Sequence, residues 1–279
     1  MFTHRFCSLD MDDRDLEVLA NVWSHLEESI EYFSEDQVAF IALQGSQNYG
    51  LEVPGNNVDA KLVLLPSLDD LIFNRKPVST THIRENNEHT DWKDLRLMFQ
   101  TFRKQNLNFI EILYSPWIVA NSLYADRLAP LFQNRDLIAR YNPAGAVRTM
   151  KGIALERYRA MEHRCPNKID IIDTYGYDPK QLHHLLRIED FIRQYINEVP
   201  YEACLRPENA DFLKSIKTKP MPLDIARDMA HISLNHTIQL ADDFRAKNPE
   251  MALPAGDELL NDVQSDVIKL GIRRELDNA

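Results

Sequence analysis

The 279 residues include only three cysteines, Cys7, Cys165 and Cys204, and these are far apart. An odd number at such distances excludes a disulfide framework and offers no zinc-site spacing, so a reducing compartment is expected. Positive charge is also in short supply. The 32 Lys and Arg stand against 43 Asp and Glu, for a formal net charge of −11. A broad, sequence-blind grip on nucleic acid needs a basic surface, so no extensive nucleic-acid surface is expected, while a small local basic site stays compatible. No apolar run approaches the roughly 20 residues of a bilayer-spanning helix, which leaves no membrane partner. The opening "MFTHRFCSLDMDDRDLEVL" turns polar and acidic too soon for a signal peptide, and the expectation is a cytoplasmic protein. Glycine is scarce too, with 8 in the chain, yet Gly45, Gly50 and Gly55 fall within eleven positions.

What is present is ordinary globular material, with 44% apolar and 27% charged residues and length enough for a proper core. Residues 11–33 place Leu16, Leu19, Val22, Trp23, Leu26 and Ile30 at helical spacing after an acidic start. Two short apolar runs, 37–44 and 58–65, read as buried strands, with loop between them. Ser67, with Asp70 three residues on, predicts a capped short helix over 66–73. Residues 77–89 suggest a strand or hairpin, 90–106 a helix with Trp92, Leu95, Met98, Phe99 and Phe102 on one face, and 107–116 a third strand. Beyond residue 120 the pattern is helical only, over 122–132, 135–140, 143–164, 178–197, 207–215, 221–247 and 256–274. The expected class is α+β, with a small mixed-sheet α/β domain over 1–120 and a helical domain over 121–279.

The stretch "FIALQGSQNYGLEVPGNNVDAKLVLLP" carries the most chemistry. Glycine after a strand lets the backbone turn sharply, and the free N–H groups there can hold phosphate oxygens, with the Ser46 hydroxyl as a further donor. An ordinary turn is the alternative. Along the second strand, Asn57, Asp59 and Lys61 share one face, and Val58, Ala60 and Leu62 the other. Asp59 there is either a magnesium ligand or the polar end of a solvated edge strand. Glu111 stands between Ile110 and Ile112, where a carboxylate is costly to bury unless metal-bound or paired with a base such as Lys61.

These residues resemble the DNA polymerase β-like nucleotidyltransferase superfamily, in particular a group whose first motif reads roughly G-S-x-x-Y-G-L-x-x-P-x-S-D-x-D. Gly45, Ser46, Tyr49, Gly50, Leu51, Pro54 and Asp59 match it position for position. Glu111 falls where the group carries its third acid, flanked by matching Asn106, Asn108, Leu113, Ser115 and Pro116. A second segment, "YGYDPKQLHHLLR", is similar to G-Y-D-x-K-H-A-x-H-L-x-R through Gly176, Tyr177, Asp178, Lys180, His184, Leu185 and Arg187. The resemblance spans about residues 38–192. It implies a nucleotidyltransferase-like sheet domain in which Gly45, Ser46, Tyr49, Lys61, Lys180, His184 and Arg187 bind a nucleoside triphosphate. Asp59 and Glu111 would then be catalytic and, with Asn57, would hold Mg2+ or Mn2+. Lys180, His184 and Arg187 recur at i, i+4 and i+7, which is one helix face. Without the resemblance that face reads as solvated or salt-bridged surface.

The chain departs from the group at Asn57, where a carboxylate is usual, and at Asn56. An amide oxygen can ligate magnesium but lacks the charge that offsets the ion's desolvation. Two functional readings follow. One is Mg-dependent transfer of a nucleoside monophosphate from an NTP to an acceptor that is a small molecule, a protein or an RNA end, at a degenerate site. The other is a catalytically silent nucleotide-binding or interaction module on the same fold.

Overall fold

The computed structural model describes residues 1–4, 6 and 11–278, so Cys7 lies outside the described residues. In chain order its elements are β1 (Phe2–His4), α1 (Asp13–Ser29), β2 (Val38–Gln44), β3 (Asp59–Leu64), α2 (Leu68–Ile72), β4 (Ser79–Ile83), β5 (His89–Asp94), α3 (Leu95–Arg103), α4 (Leu107–Ile110) and β6 (Ile118–Asn121). Helices follow: α5 (Ala125–Gln133), α6 (Arg135–Ala139), α7 (Pro143–Ala160), α8 (Ile169–Tyr175), α9 (Pro179–Ile196), α10 (Tyr201–Cys204), α11 (Ala210–Thr218), α12 (Leu223–Lys247) and α13 (Pro254–Asp277). The fold is α+β, with a mixed sheet near the N-terminus and a helical C-terminal region. Among the described residues no helix is long and apolar enough to cross a membrane.

The six strands are ordered β1-β6-β2-β3-β5-β4. β2 and β3 pair antiparallel, with Leu43 opposite Ala60 and Gln44 opposite Asp59. β3 and β5 pair parallel, with Lys61 opposite Asp91. Alternation along β3 sends Ala60, Leu62 and Leu64 to one face, where they join Val18, Val22 and Leu26 of α1, Ile41 and Leu43 of β2, and Trp92 in one apolar cluster. The opposite face carries Asp59 and Lys61. Because β3 runs between β2 and β5, Asp59 heads an interior strand, not an edge strand.

Two sequence expectations are corrected here. Residues 107–116 do not form a third strand. Asn106 caps α4, its side chain accepting from the Asn108 N–H at 3.0 Å, and a 3-10 turn over Glu111–Tyr114 continues the coil. A short apolar run bounded by polar residues fits either state, and the cap decided. The helix expected over 90–106 begins only at Leu95. Before it, Thr90, Trp92 and Asp94 alternate buried with His89, Asp91 and Lys93, in strand β5. Asp94 then caps α3 through the Arg96 N–H. The strand that follows the Glu111–Tyr114 turn in sequence is β6, Ile118–Asn121.

The chain divides into two compact units. The first holds Met1–Asn48, Asn56–Tyr141 and Ala252–Ala279; the second holds Tyr49–Gly55 and Asn142–Met251. A single cut after residue 120 does not describe this division. α13 packs on α5 and α3, which brings all three into the sheet unit. In the second unit α7, α9 and α12 pack on one another, with α11 against α9.

Candidate functional site

In the sheet unit the site begins where β2 ends. Past Gln44 the chain turns at Gly45, whose φ of 102° lies in a region that L side chains rarely adopt. Ser46–Tyr49 then forms a 3-10 turn. Side-chain amides hold this turn: Asn48 donates to the Leu43 carbonyl at 3.0 Å, Asn56 to Ser46 Oγ at 2.8 Å, and Gln47 to the Asn57 carbonyl at 3.0 Å. Asn57 is exposed, and its Nδ2 donates to the Asn87 carbonyl at 2.7 Å. Asp59 is half-buried, and its Oδ1 accepts the His89 N–H at 2.9 Å.

Between these two residues, the backbone of Val58 is anchored at both ends. Glu88 Oε1 accepts its N–H at 3.2 Å, and His25 Nε2 lies 2.6 Å from its carbonyl. A carbonyl only accepts, so Nε2 carries the hydrogen and Nδ1 accepts from the Thr90 hydroxyl at 2.7 Å. Burial lowers the pKa of His25, which favours this neutral form. Arg84 completes the support, binding Glu88 at 3.0 Å and Glu28 at 2.6 Å.

Lys61 follows Asp59 on the same face but is only 4% exposed. Its ammonium donates to Gln44 Oε1 and to Asp91 Oδ2, and lies 4.4 Å from the centre of the Phe109 ring. Burial pushes the Lys61 pKa down, while Asp91 opposes the shift. Asp91 is itself below the usual carboxylate range, since Lys61 and the Thr81 hydroxyl outweigh its own desolvation. Glu111, the other partner considered for Lys61, is buried in the 3-10 turn after α4.

The donors of this unit do not fit a two-metal centre. Among the described residues no three His, Cys, Asp or Glu side chains gather into a set that could hold a metal ion. Where a second strand carboxylate would be needed stands Asn57, its amide nitrogen engaged with Asn87. One oxygen of Asp59 is committed to the His89 backbone.

The helical unit holds the other expected residues. α9 starts at Asp178, whose side chain accepts the Lys180 N–H at 2.9 Å and pairs with Lys168. Lys180 is exposed, but Arg187, two turns on, is only 4% exposed. The shared face of Lys180, His184 and Arg187 is therefore not a solvated helix surface. The Arg187 guanidinium lies 4.0 Å from the centre of the Tyr49 ring, and Tyr49 is itself buried. One face of that ring is thus taken by Arg187. Burial first, then the positive charges of Arg187, His183, Lys180 and Arg157, hold His184 far below the usual imidazole range.

α11 adds residues that sequence reasoning missed. Lys217 Nζ donates to the Leu51 carbonyl at 2.7 Å, and Lys214 pairs with Glu52 at 3.9 Å. Burial pushes the Lys217 pKa down to about 8, helped by Lys180, Lys214 and Arg187 and opposed by Glu52. Arg157 of α7 joins through Gln181 at 3.3 Å. The available signal was the i, i+3 spacing of Lys214 and Lys217 around buried Leu213 and Ile216. Lys217 fell beyond the expected end of that helix at residue 215. The result is a cationic cluster around the 49–55 loop, in a chain whose net charge is −11.

No family model matches the chain, and no curated protein matches its sequence. Solved structures do match. One is the crystal structure of a nucleotidyltransferase-like protein from Exiguobacterium sibiricum 255-15, at 10% identity and a TM-score of 0.29, covering 88% of this chain and 79% of that one. A likeness at that score carries no argument about shared chemistry.

Proposed function

We propose that this chain binds a nucleoside triphosphate, its phosphates lying on the basic cluster of the helical unit. The observation that supports this reading is the meeting of Arg187 of α9 and Lys217 of α11 on the loop that carries Tyr49 and Leu51, with the charge of Lys180 acting on Lys217. Phosphate oxygens are well served by such a set, with a guanidinium for paired hydrogen bonds and ammonium groups as point charges. Tyr49 pins Arg187 in place and so orients it. Calorimetric titration of the full chain with each of the four NTPs tests the reading. Binding should weaken about tenfold or more in Arg187→Gln, consistent with the loss of a charge-assisted contact. A folded wild-type chain that binds none of the four would overturn it.

A second reading is transfer of the nucleoside monophosphate to an acceptor, with pyrophosphate leaving. It draws support from Asp59 at the head of β3 beside the Gly45–Ser46 turn. Asn57 weighs against it. Pyrophosphate release from any NTP in the presence of Mg2+ or Mn2+, abolished by Asp59→Ala, would favour this reading; no release, with NTP binding intact, would leave the silent module.

A further inference from the structure

A cavity of about 520 Å3 lies within the sheet unit, where the chain enters β2, leaves β3 and ends α13. Its volume falls in the range of small-molecule sites, roughly 300–1,000 Å3. Leu65 and Pro66, both buried, supply its apolar part. Gly271 lets α13 close in on them, since a Cβ added there would sit 3.0 Å from Leu65 Cδ1. Every charged side chain on the lining is a carboxylate: Glu35, Asp36 and Glu275.

Hydrogen bonding decides between an anion and a cation as ligand. The N–H groups that would hold an anion are spent inside the protein. Ser34 donates to Gln37 Oε1 at 3.2 Å, Leu65 to the Gln37 carbonyl at 2.7 Å and Ser67 to Asp70 Oδ2 at 3.0 Å. The Asn278 amide is likewise engaged, with Asp36 at 3.3 Å. Acceptors are in surplus. Glu275 receives the Leu68 N–H at 2.8 Å and has no ion-pair partner among the described residues. Glu35 meets the exposed Met1 ammonium at 3.9 Å, and Asp36 has Arg274 at 3.8 Å. The last turn of α13, on the same wall, adds the negative end of the helix dipole.

We infer that this cavity binds a small organic cation, a primary ammonium on a short aliphatic chain. The chain lies against Leu65 and Pro66, and the ammonium donates to Glu275, with Glu35 and Asp36 adding attraction. The cavity shares no residue with the basic cluster, so this inference stands apart from the nucleotide reading.

Saturation-transfer NMR titrations of the full chain at neutral pH with hexylamine, hexanol and hexanoate test this. The expected result is saturable binding of hexylamine, about tenfold or more tighter than either of the other two, the scale of one charge-assisted hydrogen bond. Glu275→Gln keeps an oxygen to accept the Leu68 N–H but loses the charge, and should weaken hexylamine by about tenfold. Asp243→Asn, on the exposed side of α12, should leave the affinity unchanged. Should Glu275→Gln fail to fold by circular dichroism, Glu35→Gln at the exposed rim replaces it, with an expected loss of about threefold. Hexanol or hexanoate binding as tightly as the amine overturns the inference. So does hexylamine affinity that is indifferent to the glutamate changes, and so does the lack of saturable hexylamine binding.

Discussion

Acidification should destabilise the helical unit through His183, and the size of the effect follows from its surroundings. This side chain is 2% exposed on α9, with Nδ1 2.8 Å from the Leu213 carbonyl. The carbonyl can only accept, so Nδ1 bears the hydrogen in the neutral ring. Burial first, and then Lys217, Arg187 and Lys180, push its pKa from 6.5 to about 4, with the Leu213 carbonyl opposing. The folded pKa lies below the unfolded one, so on acidification the unfolded chain takes up the proton first. Stability therefore falls as pH drops from about 6.5 towards about 4, and the loss levels off below that. At about 1.4 kcal/mol per unit, the loss is about 2 kcal/mol at pH 5 and about 3 kcal/mol at its limit. The comparison to make is urea unfolding, followed by far-UV circular dichroism, of the wild type and His183→Asn at pH 7.5 and pH 5.0. Asparagine keeps an amide donor near the Nδ1 position but does not titrate. The variant should be less stable at pH 7.5, because it leaves a cavity, yet lose about 2 kcal/mol less than wild type between the two pH values. Carboxylate contributions are common to both chains and cancel. Parallel losses in the two chains would refute the assignment.

Two further outcomes concern packing and backbone. Asp91→Asn removes the counter-charge of the buried Lys61 ammonium, 3.2 Å away, and should cost about 3–5 kcal/mol in chemical denaturation at neutral pH. Lys61→Met in the same chain should recover much of that loss, and no recovery would mean that the pair is not the cause. Gly176 ends α8 at a φ of 80°, and a Cβ added there would sit 2.7 Å from Leu223 Cδ2. Gly176→Ala should lower stability by about 1–2 kcal/mol, read as a drop in Tm; an unchanged Tm would contradict the backbone assignment.

Much of the architecture is legible in local pattern. α1 lies within the predicted 11–33 helix, β2 and β3 coincide with the two apolar runs, and Ser67 with Asp70 forms the expected reciprocal cap of α2. The division of β3 into an apolar and a polar face was equally readable, since alternation needs no knowledge of partners. These features depend on residues within a few positions of one another. The errors fell where two local readings were equally good. "TDWKDLRLMF" satisfies a helical stripe, but the parallel pairing of Asp91 with Lys61 drew its first half into the sheet. "NFIEILY" has the composition of a buried strand, yet the Asn106 cap and the helical turns took it.

From the sequence alone, then, came strands β2 and β3, the turn at Gly45 and the identity of the polar groups near it. Tertiary structure decided which of those groups meet. Asp91, not Glu111, neutralises Lys61 because β5 lies alongside β3. Lys217 reaches the Leu51 carbonyl across 166 positions of sequence, and Arg187 turns from a surface cation into a buried one because Tyr49 covers it. Charge partners and burial are set by contacts between distant segments, and no local periodicity encodes them.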